Sequence, residues 1–404
     1  MKSAAHRKDP SHWMKAAVAV FFCWGMSTVL IDSLVPKLKV LFSLGYAEVL
    51  LTQFSFFIGY LVFSIPAGQI LAQLGYARSI ALGLATAVLG CLLFIPATEF
   101  REFPWFLGAL FVLSAGITLL QVSVNPLVME LGDSDLAHSR LTLAQAFNSL
   151  GTTLGPLIGA AVILRHATFE DMNPMRWPFL AIAVIFGALS LLFWKGQHSP
   201  DLPVLQESPR GVDWQLFKKF RFSFGWGALF VYVGAEVTLG SLMTSYLIQP
   251  QVLGISAPVA GSLVSLYWGG AMVGRFMGSW VLSRLPAHRV LGSCALGAAT
   301  LVLVSSSSQG HLAAVALIAV GLCNSIMFPV IFSLTLENLG GDTPQGSGLL
   351  CMAIVGGALV PLLTGALADE WGLAHAFGVP VLCYFIIATF ALSQKRLVRC
   401  EHRP

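Results

Sequence analysis

Long apolar runs, separated by short charged or Gly/Pro-rich breaks, organise this chain. Cutting at the breaks leaves twelve apolar segments, near 16–36, 47–74, 78–97, 104–130, 138–164, 177–194, 223–248, 259–284, 288–307, 311–336, 345–368 and 374–393. A helix crosses the hydrocarbon core of a bilayer in about 17–25 residues, so each segment is long enough to span it. Backbone polar groups find no water there, which makes helices the assignment for so many runs. The second, fourth, eighth and tenth segments exceed the need, which predicts tilt or bending. The longest polar break, Lys195–Phe222, holds Pro200, Pro203, Pro209, Gly211 and the pair Lys218–Lys219. It reads as a linker. The expected organisation is a six-helix bundle over 1–194, a linker over 195–222 and a second six-helix bundle over 223–404.

Composition excludes a soluble globular protein. Of 404 residues, 23 are basic and 19 acidic, while 56% are hydrophobic and the mean hydropathy is +0.79. Soluble domains carry about 25% charged residues. The net charge of +4 is small and forms no basic patch, so no nucleic-acid partner is indicated. Lys and Arg are instead sorted by side. On the proposed spans, 18 of the 23 fall on the side that holds both termini and the linker, which makes that side cytoplasmic. The basic N-terminal stretch runs into a long apolar segment without a small-residue cleavage site, and so reads as a first span rather than a removed signal peptide. Six of the seven cysteines lie in apolar runs and no C-x-x-C occurs, so neither a disulfide framework nor a zinc site is indicated.

The halves also resemble each other. Gly151-x4-Pro156 recurs as Gly356-x4-Pro361, and Glu130-Leu131-Gly132-Asp133 resembles Glu337-Asn338-Leu339-Gly340-Gly341-Asp342. Gly68 and Arg78 likewise resemble Gly278 and Arg289. A duplication of six spans with a central loop is how many secondary transporters are built. No G-x-x-x-x-G-K-[ST] loop is present, so ATP is not the evident power source.

Acids within a span are costly and therefore informative. Asp32 lies some 16 residues into span one, about 24 Å along the helix, and Glu236 some 13 residues into span seven, about 20 Å along. A carboxyl removed from water holds its proton more readily, which suits a proton carrier; the bland alternative is a neutral carboxyl that only packs helices. Amides collect at Gln53, Gln121, Asn125, Gln145, Asn148 and Asn324. Gln121 and Asn125 share a helix face, as do Gln145 and Asn148. Pro126 frees the carbonyl of Val122. Amides both donate and accept, which suits a neutral polyhydroxy ligand; interhelical hydrogen-bond glue is the alternative. Trp24, Tyr232, Tyr267 and Trp268 are aromatic candidates for the apolar face of a sugar ring, with Trp268 preferred. Arg275 needs an acid, for which Glu337 is the expected partner; in the first half, Arg78 or Arg140 with Glu130 is the analogue. These read as gate or bundle-locking pairs.

The Gly68…Gly75…Arg78 turn and the 6+6 layout resemble the major facilitator superfamily, although Ala72 and Gln73 stand where that superfamily usually has an Asp. More specific are Asp32-Ser33-Leu34-Val35-Pro36, Asn125-Pro126, the run Leu143-Ala144-Gln145-Ala146-Phe147-Asn148-Ser149-Leu150-Gly151, Tyr232-Val233-Gly234-Ala235-Glu236, Gly274-Arg275-Phe276-Met277-Gly278 and Asn338-Leu339-Gly340. Together they resemble the fucose–galactose–glucose:proton symporters. Gln121 and Glu236 look like the glucose/galactose branch, because the fucose branch has a Glu and a Gln at those positions. The resemblance implies an all-α membrane protein of twelve transmembrane helices in two bundles, with both termini cytoplasmic. It further implies a monomer, not an enzyme, in the bacterial inner membrane, importing a hexose by proton or sodium symport without a cofactor. On that reading Gln53, Gln121, Asn125, Gln145, Asn148, Glu236 and Asn324 bind the sugar with Trp268 stacking, while Asp32 and Glu236 couple the cation. A related sugar, such as fucose, fructose or N-acetylglucosamine, is the alternative substrate. An exporter of drugs or metabolites on the same fold, a membrane-embedded enzyme and a transport-dead sugar sensor are the rival classes; no H-E-x-x-H motif supports the enzyme.

Overall fold

The computed structural model of the protein describes residues 11–42, 46–159, 173–205, 213–337 and 339–401. The side chains of Asp32 and Gln53 lie outside the described residues. All regular structure among the described residues is helical. In chain order it comprises α1 (Ser11–Leu41), α2 (Tyr46–Phe100), α3 (Phe103–Glu130), α4 (Ala137–Gly159), α5 (Asn173–Lys195), α6 (Phe220–Leu247) and α7 (Ala257–Leu282). There follow α8 (Ala287–Ser307), α9 (Gly310–Asn324), α10 (Met327–Leu336), α11 (Thr343–Met352), α12 (Gly356–Trp371), α13 (Leu373–Ala376) and α14 (Gly378–Glu401). Eight helical stretches among the described residues are long and apolar enough to cross a membrane. The protein is a multi-pass membrane protein.

Three of the expected boundaries differ in the structure. The expected segments 47–74 and 78–97 run together in α2, interrupted at Gly75 with φ 74° and ψ 177°. That conformation is open to glycine alone without strain, so the turn falls where the sequence places it. The expected span 311–336 is instead two helices, because α9 ends at Asn324 and α10 starts at Met327. Pro329 has no N–H for the carbonyl of Ser325, and its ring crowds that oxygen, so a continuous helix is disfavoured there. The expected span 345–368 is also divided, into α11 and α12, by a 3-10 turn at Ala353–Val355.

The described residues of Met1–Ala137, Leu150–Val212 and Leu339–Cys351 form one compact unit, and those of His138–Ser149, Asp213–Asn338 and Met352–Pro404 form a second. In the first unit, Phe94 of α2 stacks on Phe179 of α5 at 4.0 Å between ring centroids. Trp13 of α1 packs beside Phe193 of α5 and donates from its indole N–H to Ser199 Oγ at 3.2 Å.

The internal repeat is a repeated packing contact. A Cβ on Gly151 would strike the carbonyl oxygen of Phe22 on α1, within the first unit. A Cβ on Gly356 would strike that of Phe230 on α6, within the second. Helices in lipid gain association energy from close backbone approach, which small residues allow. Each of the two glycines matched by the repeat serves that purpose, Gly151 against α1 and Gly356 against α6.

Candidate functional site

A buried polar cluster of the second unit is built from α6, α7 and the end of α9. Tyr232 and Glu236 are four residues apart on α6 and share a face. Tyr267 and Arg275 are eight residues apart on α7, close to two turns and therefore also on one side. Asn324 is the last residue of α9. Its Nδ2 donates to the Tyr267 hydroxyl at 2.7 Å. The Tyr267 hydroxyl donates to the backbone carbonyl of Glu236 at 3.2 Å, and the Tyr232 hydroxyl donates to the carbonyl of Asn324 at 3.0 Å. Tyr232, Tyr267 and Asn324 are fully buried. Among the described residues, Asn324 Oδ1 and the hydroxyl of Tyr384 on α14 are buried without a hydrogen bond in this geometry, with the Asn324 side chain beside Tyr384.

Arg275 joins this cluster to its surroundings. Its Nε donates at 3.1 Å to the carbonyl of Ser325, the group that Pro329 leaves without a helical donor. Its Nη1 bonds Ser149 Oγ and lies 3.4 Å from the carbonyl of Gln145, both on α4. Its Nη2 stands 3.9 Å from Glu236 Oε1, with the two side chains 12% and 13% exposed. That separation is an ion pair rather than a hydrogen bond. Removing either charge would leave the other buried and uncompensated.

The first unit holds a related arrangement. Gln121 and Asn125 are buried one turn apart on α3, and Gln121 Oε1 has no hydrogen-bond partner among the described residues. Pro126 lies inside α3 without breaking it. The carbonyl it frees, that of Val122, accepts a 2.7 Å hydrogen bond from Ser347 Oγ of α11. The carbonyls orphaned by proline in expected spans four and ten are thus both capped from another helix, by Ser347 in one case and Arg275 in the other.

Several expected pairs take other partners. Arg275 faces Glu236, not Glu337. Glu337 caps the end of α10 beside Arg221, the second residue of α6, and pairs with it; Arg221 Nε also donates to the carbonyl of Leu334 at 2.8 Å. Glu130 accepts from the Tyr76 hydroxyl at 2.8 Å. Arg78 reaches the side chain of Gln197 at 2.5 Å rather than Glu130, because the Gly75 turn brings Tyr76, not Arg78, over the end of α3. Arg140 is half-buried on α4, next to Ser139, whose hydroxyl donates to the carbonyl of Ser279 on α7 at 2.8 Å. Gln145 is buried and Asn148 half-buried.

Trp268 is 41% exposed and lies across Gly240 of α6. The ring of that pair that enters the buried cluster is Tyr267. By sequence Tyr232 and Tyr267 are candidate flat faces; in the structure their hydroxyls act as hydrogen-bond donors. Nothing in the sequence marks Tyr384 or Ser347, and Ser149 stands out only as part of the run from Leu143 to Gly151. A lone Tyr or Ser within an apolar run carries little signal, since only packing decides whether its hydroxyl meets a partner. Among the described residues no three His, Cys, Asp or Glu side chains gather in a group that could hold a metal ion.

Apolar helices with paired charges and interlocked amides and phenols inside define a membrane protein with an interior polar site. The chain belongs to the major facilitator superfamily, which its residues 16–354 match. It is 46% identical over 393 residues to a glucose/galactose transporter of Brucella abortus (biovar 1, strain 9-941), covering 96% of this chain and 95% of the relative. It is 32% identical over 402 residues to the L-fucose-proton symporter of Escherichia coli K12, covering 92% of this chain and 91% of the relative. The crystal structure of an E. coli fucose:proton symporter variant matches with a TM-score of 0.85 at 30% identity, covering 95% of this chain and 98% of that one. The all-helical fold of that structure is the fold of this chain.

Proposed function

We propose that the protein is a secondary active importer of a hexose of the glucose/galactose type, driven by a proton and working as a monomer in the bacterial inner membrane. The buried cluster around Asn324 carries this reading. It combines donors and acceptors suited to sugar hydroxyls with an acid–base pair at Glu236 and Arg275. The names of the relatives, a glucose/galactose transporter and an L-fucose-proton symporter, agree with both halves of it.

Twelve crossings follow if α2 counts as two spans across Gly75 and α1, α4 and α7 are added to the eight apolar stretches. The halves would be 1–194 and 223–404, joined by a cytoplasmic linker at 195–222, with both termini cytoplasmic. Sugar would meet Gln121, Asn125, Gln145 and Asn148 from the first half and Asn324, Glu236 and Trp268 from the second, with Gln53 and Asp32 as further contributors. Two features support hydroxyl recognition: among the described residues, Gln121 Oε1 and Asn324 Oδ1 are buried acceptors that receive no hydrogen bond in this geometry. An unpaired buried polar atom costs about 1–3 kcal/mol, which a bound hydroxyl would relieve. Alternating access then carries the site from one face to the other. Glu236 takes the coupling proton in this scheme, and sodium is the competing cation.

Uptake into proteoliposomes tests the proposal. Glucose, galactose, fucose, fructose and N-acetylglucosamine are offered under separate proton and sodium gradients. Accumulation of glucose or galactose driven by the proton gradient is expected. Uptake of none of these sugars under either gradient would overturn the proposal, and accumulation with sodium alone would replace the cation.

A further inference from the structure

Arg275 is a charged side chain that pairs with the Glu236 carboxylate and also bonds the break that follows Asn324. Its guanidinium is a rigid planar fork. With Nη2 drawn to the Glu236 carboxylate, Nη1 is held on Ser149 and Nε on the carbonyl of Ser325. Ser325 directly follows Asn324, whose amide holds Tyr267 and whose carbonyl holds Tyr232.

We propose that Arg275 is a positioning residue that transmits the protonation state of Glu236 to the Asn324 end of α9, and so couples the proton to the sugar. This rests on the reading of the protein as a proton-driven sugar importer. A proton taken from water on the outer side forms an O–H bond on Glu236 and cancels its charge. The guanidinium cannot release a proton in response. Among the described residues, the other titratable groups facing Glu236 are Tyr232 on α6, Tyr267 on α7 and Tyr384 on α14, all phenols that offer no counter-charge. Arg275 is then left buried and uncompensated, which is costly. It must shift toward the oxygens that remain, those of Ser325, Gln145 and Ser149, or toward water. Either shift changes the cap on Ser325 and with it the placement of the Asn324 amide. Release of the proton to water on the cytoplasmic side restores the pair. Coupling of this kind is reciprocal: sugar bound at Asn324 changes the proton affinity of Glu236 by the same factor.

The test measures binding of glucose and galactose to the purified full chain from about pH 5 to about pH 9, for the unmodified protein and for Glu236→Gln, Arg275→Gln, Arg275→Lys and the Glu236→Gln/Arg275→Gln double variant. Affinity in the unmodified protein should change by about tenfold or more over the range, the size of one unit of linkage. Glu236→Gln should flatten the profile, and Arg275→Gln should flatten it equally although the acid is intact. The double variant should show no loss of pH dependence beyond either single change. A full profile in Arg275→Gln would overturn the proposal. If Arg275→Gln fails to fold, Arg275→Lys decides, because lysine keeps the charge but cannot hold Glu236, Ser149 and Ser325 together. A flattened profile then supports the coupling, and an unchanged one overturns it. Sugar binding by the unmodified protein with no pH dependence would overturn the coupling alone; absence of binding at every pH would overturn the functional reading instead.

Discussion

Ser347 Oγ donates a 2.7 Å hydrogen bond to the carbonyl oxygen of Val122, the group that Pro126 deprives of its helical donor. The two residues stand 225 apart in sequence. Pro126 leaves α3 unbroken, and the acceptor it frees is satisfied from α11.

Replacing that donor tests its contribution. Hydrogen bonds between helices in membrane proteins average about 0.6 kcal/mol and reach about 1.7. Ser347→Ala should fall in the upper part of that range, because the acceptor is buried. A lower thermal unfolding temperature in detergent is expected. An unchanged temperature would mean that the cap contributes nothing.

The glycines of the repeat make a second prediction, with a control in the same helix. Gly356→Ala places a methyl group against the carbonyl of Phe230, whereas Gly365 of α12 has open space around its Cβ position. Overpacking costs about 1–3 kcal/mol. Gly356→Ala should reduce folded yield and thermal stability, and Gly365→Ala should leave both near their starting values. Gly151→Ala should repeat the loss through Phe22.

The hydrogen bond between Asn324 and Tyr267 gives a third. Asn324→Ala and Tyr267→Phe each remove one end of it. In a double-mutant cycle on sugar binding, the two changes should be non-additive by about 0.5–3 kcal/mol, as expected of groups in one network. Purely additive losses would place the two side chains in separate roles.

The ion pairs differ in burial, and so should their variants. Glu337 is 46% exposed beside Arg221, and exposed pairs contribute about 0–1 kcal/mol. Glu236 and Arg275 are nearly enclosed, and breaking a buried pair costs about 3–5 kcal/mol. Glu337→Gln should therefore shift thermal stability little, while Glu236→Gln should lower it markedly. Equal shifts would show that the 3.9 Å pair is weaker than its burial implies.

Much of the architecture was legible in the chain because lipid makes a strict demand. Every backbone polar group must be paired within its segment, so apolar length alone marks helices such as α3, α5 and α8. Gly75 announced its turn, and Pro126 its freed carbonyl. The depth of Glu236 was equally plain, since an acid in an apolar run has few innocent explanations. The break at Ser325 was not legible. Pro126 and Pro329 pose the same local problem, yet α3 stays whole while α9 and α10 separate.

Partners were the part that local pattern could not supply. Spacing along a helix says which residues share a face, and that was enough to group Gln121 with Asn125. It does not say which helix lies opposite. Arg275 had Glu337 as a plausible acid by sequence, but the packing of α6 against α7 set Glu236 in front of it and left Glu337 to Arg221. Tyr267, not Trp268, entered the polar cluster because a helix turns about 100° per residue and only one neighbour can face inward. By itself the sequence determined that the chain spans a membrane with helices, and it marked the few polar residues set within the apolar runs. Tertiary structure alone decided which of those residues meet, because a hydrogen bond or a buried ion pair depends on ångström-scale approach between helices distant in sequence.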